Sequence, residues 1–257
     1  MTRSLFDLDG RTAVVIGGTS GIGRALALGL ADAGADVVAT GRRQALVDEV
    51  SNGIEERGRR TLRRTVDVGD VRTLRTLCDA VLAEFGKVDV AVAAAGITKR
   101  LPTLDMDEAD WNAILDTNAT GTLRTFQVFA KPMIDQRRGR LIGIGSLTSF
   151  LGLFEVAAYG ASKSAVAGLT RGLAVEWARF GVTVNAIVPG VFETDLNRAL
   201  LAGPRGQEFL MRTPMRRFGR TEELVGAAVY LASDASSFVT GQLLAVDGGI
   251  LASGVNQ

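Results

Sequence analysis

Tyr159 and Lys163 stand four residues apart. At helical spacing they share one face. A free tyrosine titrates near ~10, too high for an efficient base at neutral pH. A lysine ammonium one turn away favours the phenolate and predicts a lowered tyrosine pKa. Ser146 lies thirteen residues before Tyr159 and can hydrogen-bond a substrate oxygen. Asn118 is a poor helix former in an apolar helical context, which points to a local task. Taken singly, each has a bland reading: a surface tyrosine, a turn serine, a chance Tyr-x-x-x-Lys pair. The chain has no histidine, and its one cysteine is Cys78. That removes Ser-His-Asp and Cys-His nucleophile systems. It also removes His-ligated metal sites, thiolate clusters and an intrachain disulfide. No metal is expected, so acid–base work falls to Tyr, Lys, Asp or Glu.

A second group of residues reads as a phosphate cradle. Gly17-Gly18-Thr19-Ser20-Gly21-Ile22-Gly23 follows the apolar run Thr12–Ile16 and precedes an amphipathic stretch. Glycine permits positive φ and close backbone approach to a pyrophosphate. The helix start offers N–H groups and a positive dipole end. The spacing is G-x-x-x-G-x-G, so a structural turn is the competing reading; the strand–turn–helix context favours a dinucleotide. The second apolar run ends at Thr40-Gly41-Arg42-Arg43, with no acidic residue to chelate ribose hydroxyls. Arg42 and Arg43 suit a 2′-phosphate. NADP(H) is therefore the preferred cofactor, with NAD(H) the second candidate. The alternative is that both arginines are solvated charges opening the next helix.

The elements that must position these groups follow from periodicity. Near-continuous apolar runs at Thr12–Ile16, Asp36–Ala39, Thr61–Val66, Val88–Ala93, Arg140–Ile144, Val182–Val188 and Leu243–Val246 read as strands. Helical stretches alternate with them: Ile22–Ala33, Gln44–Arg57, Val71–Phe85, Glu108–Gln136, Tyr159–Phe180 and Thr221–Leu231. Alternation of this kind predicts an α/β doubly wound parallel sheet of seven strands, a single-domain Rossmann fold over residues 1–257 with helices on both faces. Residues 191–220 have weak periodicity, Pro204, Pro214 and several arginines. They read as an irregular substrate loop or a solvated excursion. Lys+Arg 29 against Asp+Glu 28 gives +1, which offers no global reason to expect nucleic acid or an anionic membrane as partner. The opening MTRSLFDLDG has no apolar region of a signal peptide, and no run is long enough to span a membrane. A cytoplasmic location is expected.

In order along the chain, the motifs resemble the short-chain dehydrogenase/reductase family over nearly its whole length. The resemblance rests on the glycine turn, Asp67-Val68, Ala95-Gly96, Asn118, Ser146, Tyr159-Gly160-Ala161-Ser162-Lys163, Asn185, Pro189-Gly190 and Val246-Asp247-Gly248-Gly249. It implies a catalytic tetrad of Asn118, Ser146, Tyr159 and Lys163. Tyr159 would exchange the proton, and Ser146 would orient the carbonyl. Lys163 would bind the nicotinamide ribose and lower the tyrosine pKa, and Asn118 would hold a water linking Lys163 to solvent. Gly17, Thr19, Ser20, Gly21, Ile22, Gly23, Arg42 and Arg43 would hold the phosphate end of the cofactor. Asp67 and Val68 would flank adenine, and Ala95-Gly96 would approach the adenosine ribose. Pro189, Gly190 and Thr194 would meet the nicotinamide end. A homotetramer, or a dimer, is implied. One departure is plain: Ala93-Ala94 replaces the family's usual Asn-Asn, whose amides brace the sheet.

The residues expected to meet the substrate are Ser146, Tyr159 and Arg100. Ile97-Thr98-Lys99-Arg100-Leu101-Pro102, the run Pro189–Leu196 that includes Asp195 and Leu196, and Thr213–Gly219 are most similar to gluconate 5-dehydrogenase and deoxygluconate dehydrogenase-type members of the family. That resemblance implies a small sugar acid or polyol, with Arg100 suited to a carboxylate. A 3-oxoacyl carrier protein reductase is the alternative enzyme. A dinucleotide-binding sensor without turnover is the alternative of another class.

Overall fold

The computed structural model describes residues 4–194 and 197–254. Six strands form one sheet: β1 (Thr12–Ile16), β2 (Asp36–Thr40), β3 (Val90–Ala93), β4 (Gly139–Ile144), β5 (Val182–Pro189) and β6 (Leu243–Val246). Their order is β2-β1-β3-β4-β5-β6, and every neighbouring pair is parallel. The helices are α1 (Gly21–Asp32), α2 (Gln44–Glu55), α3 (Val71–Phe85), α4 (Glu108–Leu115), α5 (Gly121–Asp135), α6 (Ala157–Trp177), α7 (Arg198–Leu201), α8 (Pro204–Arg212) and α9 (Val225–Ala232).

Alternate residues of strands β1–β5 enter two separate cores. Ala13, Val15, Val37, Val90 and Val92 pack with side chains of α1, α2 and α9. Val14, Ile16, Val38, Ala91 and Leu141 pack with α3 and α5 on the other face. A sheet covered on both sides needs apolar residues at every strand position, which is why these runs show no alternation. Chain order reverses between β1 and β3, and such sheets bind ligands outside their strand C-termini at that switch point.

Three sequence expectations are corrected. The sheet described has six strands, not seven, because residues 61–66 form no ladder. That segment touches β2 only at its ends, where Val37 N–H donates to Arg60 O at 3.0 Å and Val66 N–H to Gly41 O at 3.0 Å. Between them Arg63 and Arg64 are exposed, and Arg63 reaches across to Asn52 and Glu55 of α2. A segment whose side chains seek solvent and a neighbouring helix has no register to hold. The expected helix over 108–136 is interrupted by a π-turn at Asp116–Thr120. The stretch 191–220 contains α7 and α8, so it is partly helical rather than irregular. Asp195 and Leu196 lie outside the described residues, as does Met1–Arg3.

Candidate active site

The glycine turn is built by close backbone packing. Gly17 has φ 81, and a Cβ there would stand 2.5 Å from the backbone nitrogen of Ala95. A Cβ on Gly23 would stand 2.1 Å from the Gly17 carbonyl. Both glycines are therefore required by the protein's own backbone. Gly21 differs: it has φ 49, and a Cβ would meet only Thr194 Cγ2, at 3.7 Å. The N-cap of α1, Ser20, makes no side-chain capping bond, and no acidic residue lies in the first turn. The first N–H groups of α1 are thus left without a capping side chain beside a backbone that opens toward Thr194. An anion fits this cradle. Thr19 is buried, and its Oγ1 would lie 2.5 Å from a Cβ on Gly41, so the turn and the end of β2 are in contact.

Arg42 and Arg43 are exposed where β2 gives way to α2. Among the described residues no carboxylate stands with them in the way that Glu49 pairs Arg24 at 3.2 Å nearby. Asp67 is exposed, its Oδ1 accepting from Gly69 N–H at 2.9 Å, while Val68 is buried. Arg124 of α5 holds this segment by donating to the Val68 carbonyl at 3.1 Å. Gly190 packs on Asp247, and its N–H donates to the Val246 carbonyl at 2.9 Å. Thr194 is fixed by Asn197, whose Oδ1 accepts from its N–H at 2.8 Å and from its hydroxyl at 3.3 Å. The residues expected at the two cofactor ends therefore line one edge, the C-terminal edge of the sheet.

The residues expected to form the tetrad converge there from three elements. Ser146 follows β4 and caps a short 3₁₀ turn, its Oγ accepting from Thr148 N–H at 3.2 Å. Tyr159 and Lys163 lie in the first turns of α6, with the ammonium 5.6 Å from the phenol ring centroid. Lys163 is buried and donates to the Ile144 carbonyl at 2.8 Å, tying α6 to the end of β4. Asn118 is wholly buried in the π-turn. Its Oδ1 accepts from Ile97 N–H at 2.8 Å, and its Nδ2 donates to Ile97 O at 2.9 Å and to Ser162 Oγ at 3.0 Å. A Cβ on Gly96 would meet Asn118 Oδ1 at 3.3 Å and Lys163 Nζ at 3.7 Å, so Asn118, Gly96 and Lys163 are packed together.

These contacts revise one expectation and locate two further residues. Burial pushes the Tyr159 phenol above its ordinary value, opposed by a hydrogen bond with Ser146. Burial lowers Lys163 to about 8. Desolvation thus outweighs the Ser146 hydrogen bond, and the depression of the tyrosine pKa expected from Lys163 is not found. The Asn118 side chain is spent on the backbone of Ile97, so it braces the strand-β3 exit. The amides missing at Ala93 and Ala94 leave that task to Asn118 and to the bond from Ala94 N–H to Ile16 O at 2.8 Å. Arg100, expected to face a substrate, pairs with Glu155 at 2.8 Å.

Sequence reasoning missed Ser149 and Ser162. Ser149 Oγ donates to the Lys163 carbonyl at 2.9 Å and accepts from Ser146 N–H at 3.3 Å, so it couples Ser146 to Lys163. Ser162 Oγ donates to the Tyr159 carbonyl at 2.7 Å. Their neighbours in sequence were the only available signal. Cys78, by contrast, has its thiol pushed up to about 11 by burial, which leaves it a poor nucleophile. No group of three or more His, Cys, Asp or Glu among the described residues is placed to hold a metal ion.

A family model described as enoyl-(acyl carrier protein) reductase, one of the short-chain dehydrogenase/reductase models, matches residues 17–251. The chain belongs to the short-chain dehydrogenase/reductase family. It is 40% identical over 250 residues to gluconate 5-dehydrogenase of Gluconobacter oxydans (strain 621H), covering 97% of this chain and 98% of that one. It is 41% identical over 257 residues to 2-dehydro-3-deoxy-D-gluconate 5-dehydrogenase of Escherichia coli (strain K12), covering 98% and 100%. Among solved structures, a gluconate 5-dehydrogenase from Burkholderia cenocepacia J2315 in complex with NADP and tartrate superposes with a TM-score of 0.93 at 39% identity, over 97% of this chain and 98% of that one. As a member of this family the chain is an NAD(P)-dependent oxidoreductase acting on CH–OH groups. None of its described helices is long and apolar enough to cross a membrane.

Proposed function

We propose that this enzyme is NADP(H)-dependent and interconverts a secondary alcohol and a carbonyl on a small sugar acid, in the manner of a gluconate 5-dehydrogenase. The observation that carries the reading is the shared edge on which Tyr159, Lys163 and Ser146 lie with the glycine turn, the acid-free end of β2 and Arg100. The uncapped start of α1 would hold the pyrophosphate, and Arg42 and Arg43 a 2′-phosphate. The nicotinamide, when bound, accepts or gives the hydride. Tyr159 moves the proton at the substrate oxygen, from its phenol in reduction and to its phenolate in oxidation. Ser146 Oγ orients that oxygen. Lys163 holds positive charge beneath the phenol, and Asn118 fixes the segment beside Gly96. Two relatives whose names contain gluconate support the substrate class, as does the relative crystallised with NADP and tartrate. A homotetramer, or a dimer, is part of the same proposal.

The test is a steady-state panel with both cofactors on gluconate, 5-ketogluconate, sorbitol, acetoacetyl thioesters and simple ketones. Turnover of gluconate and 5-ketogluconate is expected, with kcat/KM for NADPH above that for NADH. Tyr159→Phe is expected to abolish turnover while NADPH still binds. Activity confined to thioesters would replace the sugar-acid reading with an acyl carrier protein substrate, the partner in the matching family description.

A further inference from the structure

Three segments meet beside the site and bring three charged side chains together. Arg100 follows β3, Glu155 precedes α6 by two residues, and Arg205 opens α8. Arg100 Nη2 pairs with Glu155 Oε2 at 2.8 Å, and Leu101 N–H donates to the Glu155 carbonyl at 3.1 Å. Arg205 Nη1 donates to the neighbouring carbonyl, Phe154 O, at 3.1 Å. It lies near enough to feel Arg100 as a repulsion and Glu155 as an attraction. The other carboxylate near Arg205, Glu208, is engaged by Arg212 at 3.0 Å. Glu155 has φ 62. A non-glycine residue stays in that region only when its surroundings hold it there. Here the Leu101 and Arg100 contacts do so.

Arg100 is paired with Glu155 and Arg205 is bonded to the adjoining Phe154 carbonyl, so these three side chains sum to one positive charge around a residue four positions upstream of Tyr159. We propose that Glu155 is a specificity-determining residue: it holds Arg100 and sets this corner to accept a substrate with a single carboxylate, bound between Arg100 and Arg205. The inference rests on the sugar-acid reading of the site. The ion pair uses Nη2 of Arg100, and a guanidinium has five donors in a fixed fork. The remaining edge can take a second carboxylate. A substrate with two carboxylates brings a further negative charge that Glu155 repels. A neutral polyol gains nothing from either arginine.

Gluconate and glucarate carry one and two carboxylates on the same six-carbon polyol frame. Gluconate is measured as substrate, and glucarate as substrate or as competitive inhibitor of gluconate oxidation. The wild type is expected to favour gluconate. Glu155→Gln keeps an acceptor for Arg100 and removes the charge. It is expected to improve glucarate relative to gluconate by about tenfold, the size of one like-charge contact largely screened by water. An unchanged ratio overturns the proposal. Arg205→Gln lies on a separate element and carries the test if the first variant does not fold. It is expected to raise KM for gluconate by about fivefold, and to weaken glucarate more; an unchanged KM overturns the proposal. Gluconate turnover with an unchanged ratio defeats the role of Glu155 alone. Turnover of thioesters or simple ketones without gluconate defeats the sugar-acid reading and this inference together.

Discussion

Lys163 shows how chemistry and stability compete at one residue. The ammonium is buried against Ile144 O, and burial lowers its pKa from the ordinary 10.5 to about 8. The unfolded chain holds its proton more tightly than the folded one in that interval. Below pH 8 the full cost of a buried cation is present. As pH rises from about 8 to 10.5 the folded lysine sheds its proton first, and this contribution to stability rises. A depression of that size corresponds to roughly 3 kcal/mol at neutral pH. Lys163→Met keeps the apolar stem and removes the charge, but leaves the Ile144 carbonyl with one partner fewer, at about 1 kcal/mol. The variant is expected to be inactive yet more stable than the wild type at pH 7, by about 1–2 kcal/mol. That gain should shrink toward pH 10. Denaturant midpoints at the two pH values check this; a variant less stable at pH 7 would show that the ammonium's hydrogen bond outweighs its desolvation.

At the scale of elements, what was legible in the sequence is what local pattern encodes. The five apolar runs near β1, β2, β3, β4 and β5 were readable because both faces are buried. Tyr159 and Lys163 were readable because helical spacing alone puts them on one face. The π-turn at Asp116–Thr120 was not readable, because apolar residues on both sides keep a 3.6 period straight through it. Only the misfit of Asn118 hinted at it. Residues 61–66 misled for the converse reason: β-branched ends flank Arg63 and Arg64, whose exposure depends on where α2 packs. The Arg100–Glu155 pair joins residues far apart in sequence, so no local rule predicts it. The π-turn carries its own prediction. Asn118 bonds both backbone groups of Ile97 and Ser162 Oγ, so Asn118→Ala leaves buried polar groups unsatisfied. A loss of about 2–3 kcal/mol is expected, with kcat reduced by about 10²-fold as the Gly96 segment shifts against Lys163. Thermal unfolding and initial rates measure both, and a normal kcat would mean that this bracing does not position the site.

Across the whole molecule the two ends of the parallel sheet divide the work. Glycine turn, tetrad and Arg100 lie at the C-terminal ends of the strands. The N-terminal ends carry a different charge cluster. Arg11 precedes β1, Asp89 precedes β3, Arg140 lies in β4, and Asp234 follows α9. Asp234 accepts from Arg11 at 2.9 Å and from Arg138 at 2.5 Å, and lies 3.6 Å from Arg140. Arg140 is buried, and desolvation depresses its pKa despite Asp234. Asp89 also receives Thr12 N–H at 2.9 Å, so the cluster clamps the starts of β1 and β3. Asp234→Asn keeps the shape and removes the charge that three guanidinium groups share. Arg140 is then left facing Arg138 with weaker compensation. Because Asp234 itself is half-exposed, a loss of about 1–3 kcal/mol is expected rather than the larger penalty of a fully buried pair. For a chain of this size that is a fall in Tm of about 3–8 °C. The sheet separates this end from the site by the length of its strands, so kcat and KM at 25 °C should stay at wild-type values. A Tm that does not move would mean that Asp89 alone holds these arginines. An altered kcat would mean that the strands transmit strain from one end of the sheet to the other.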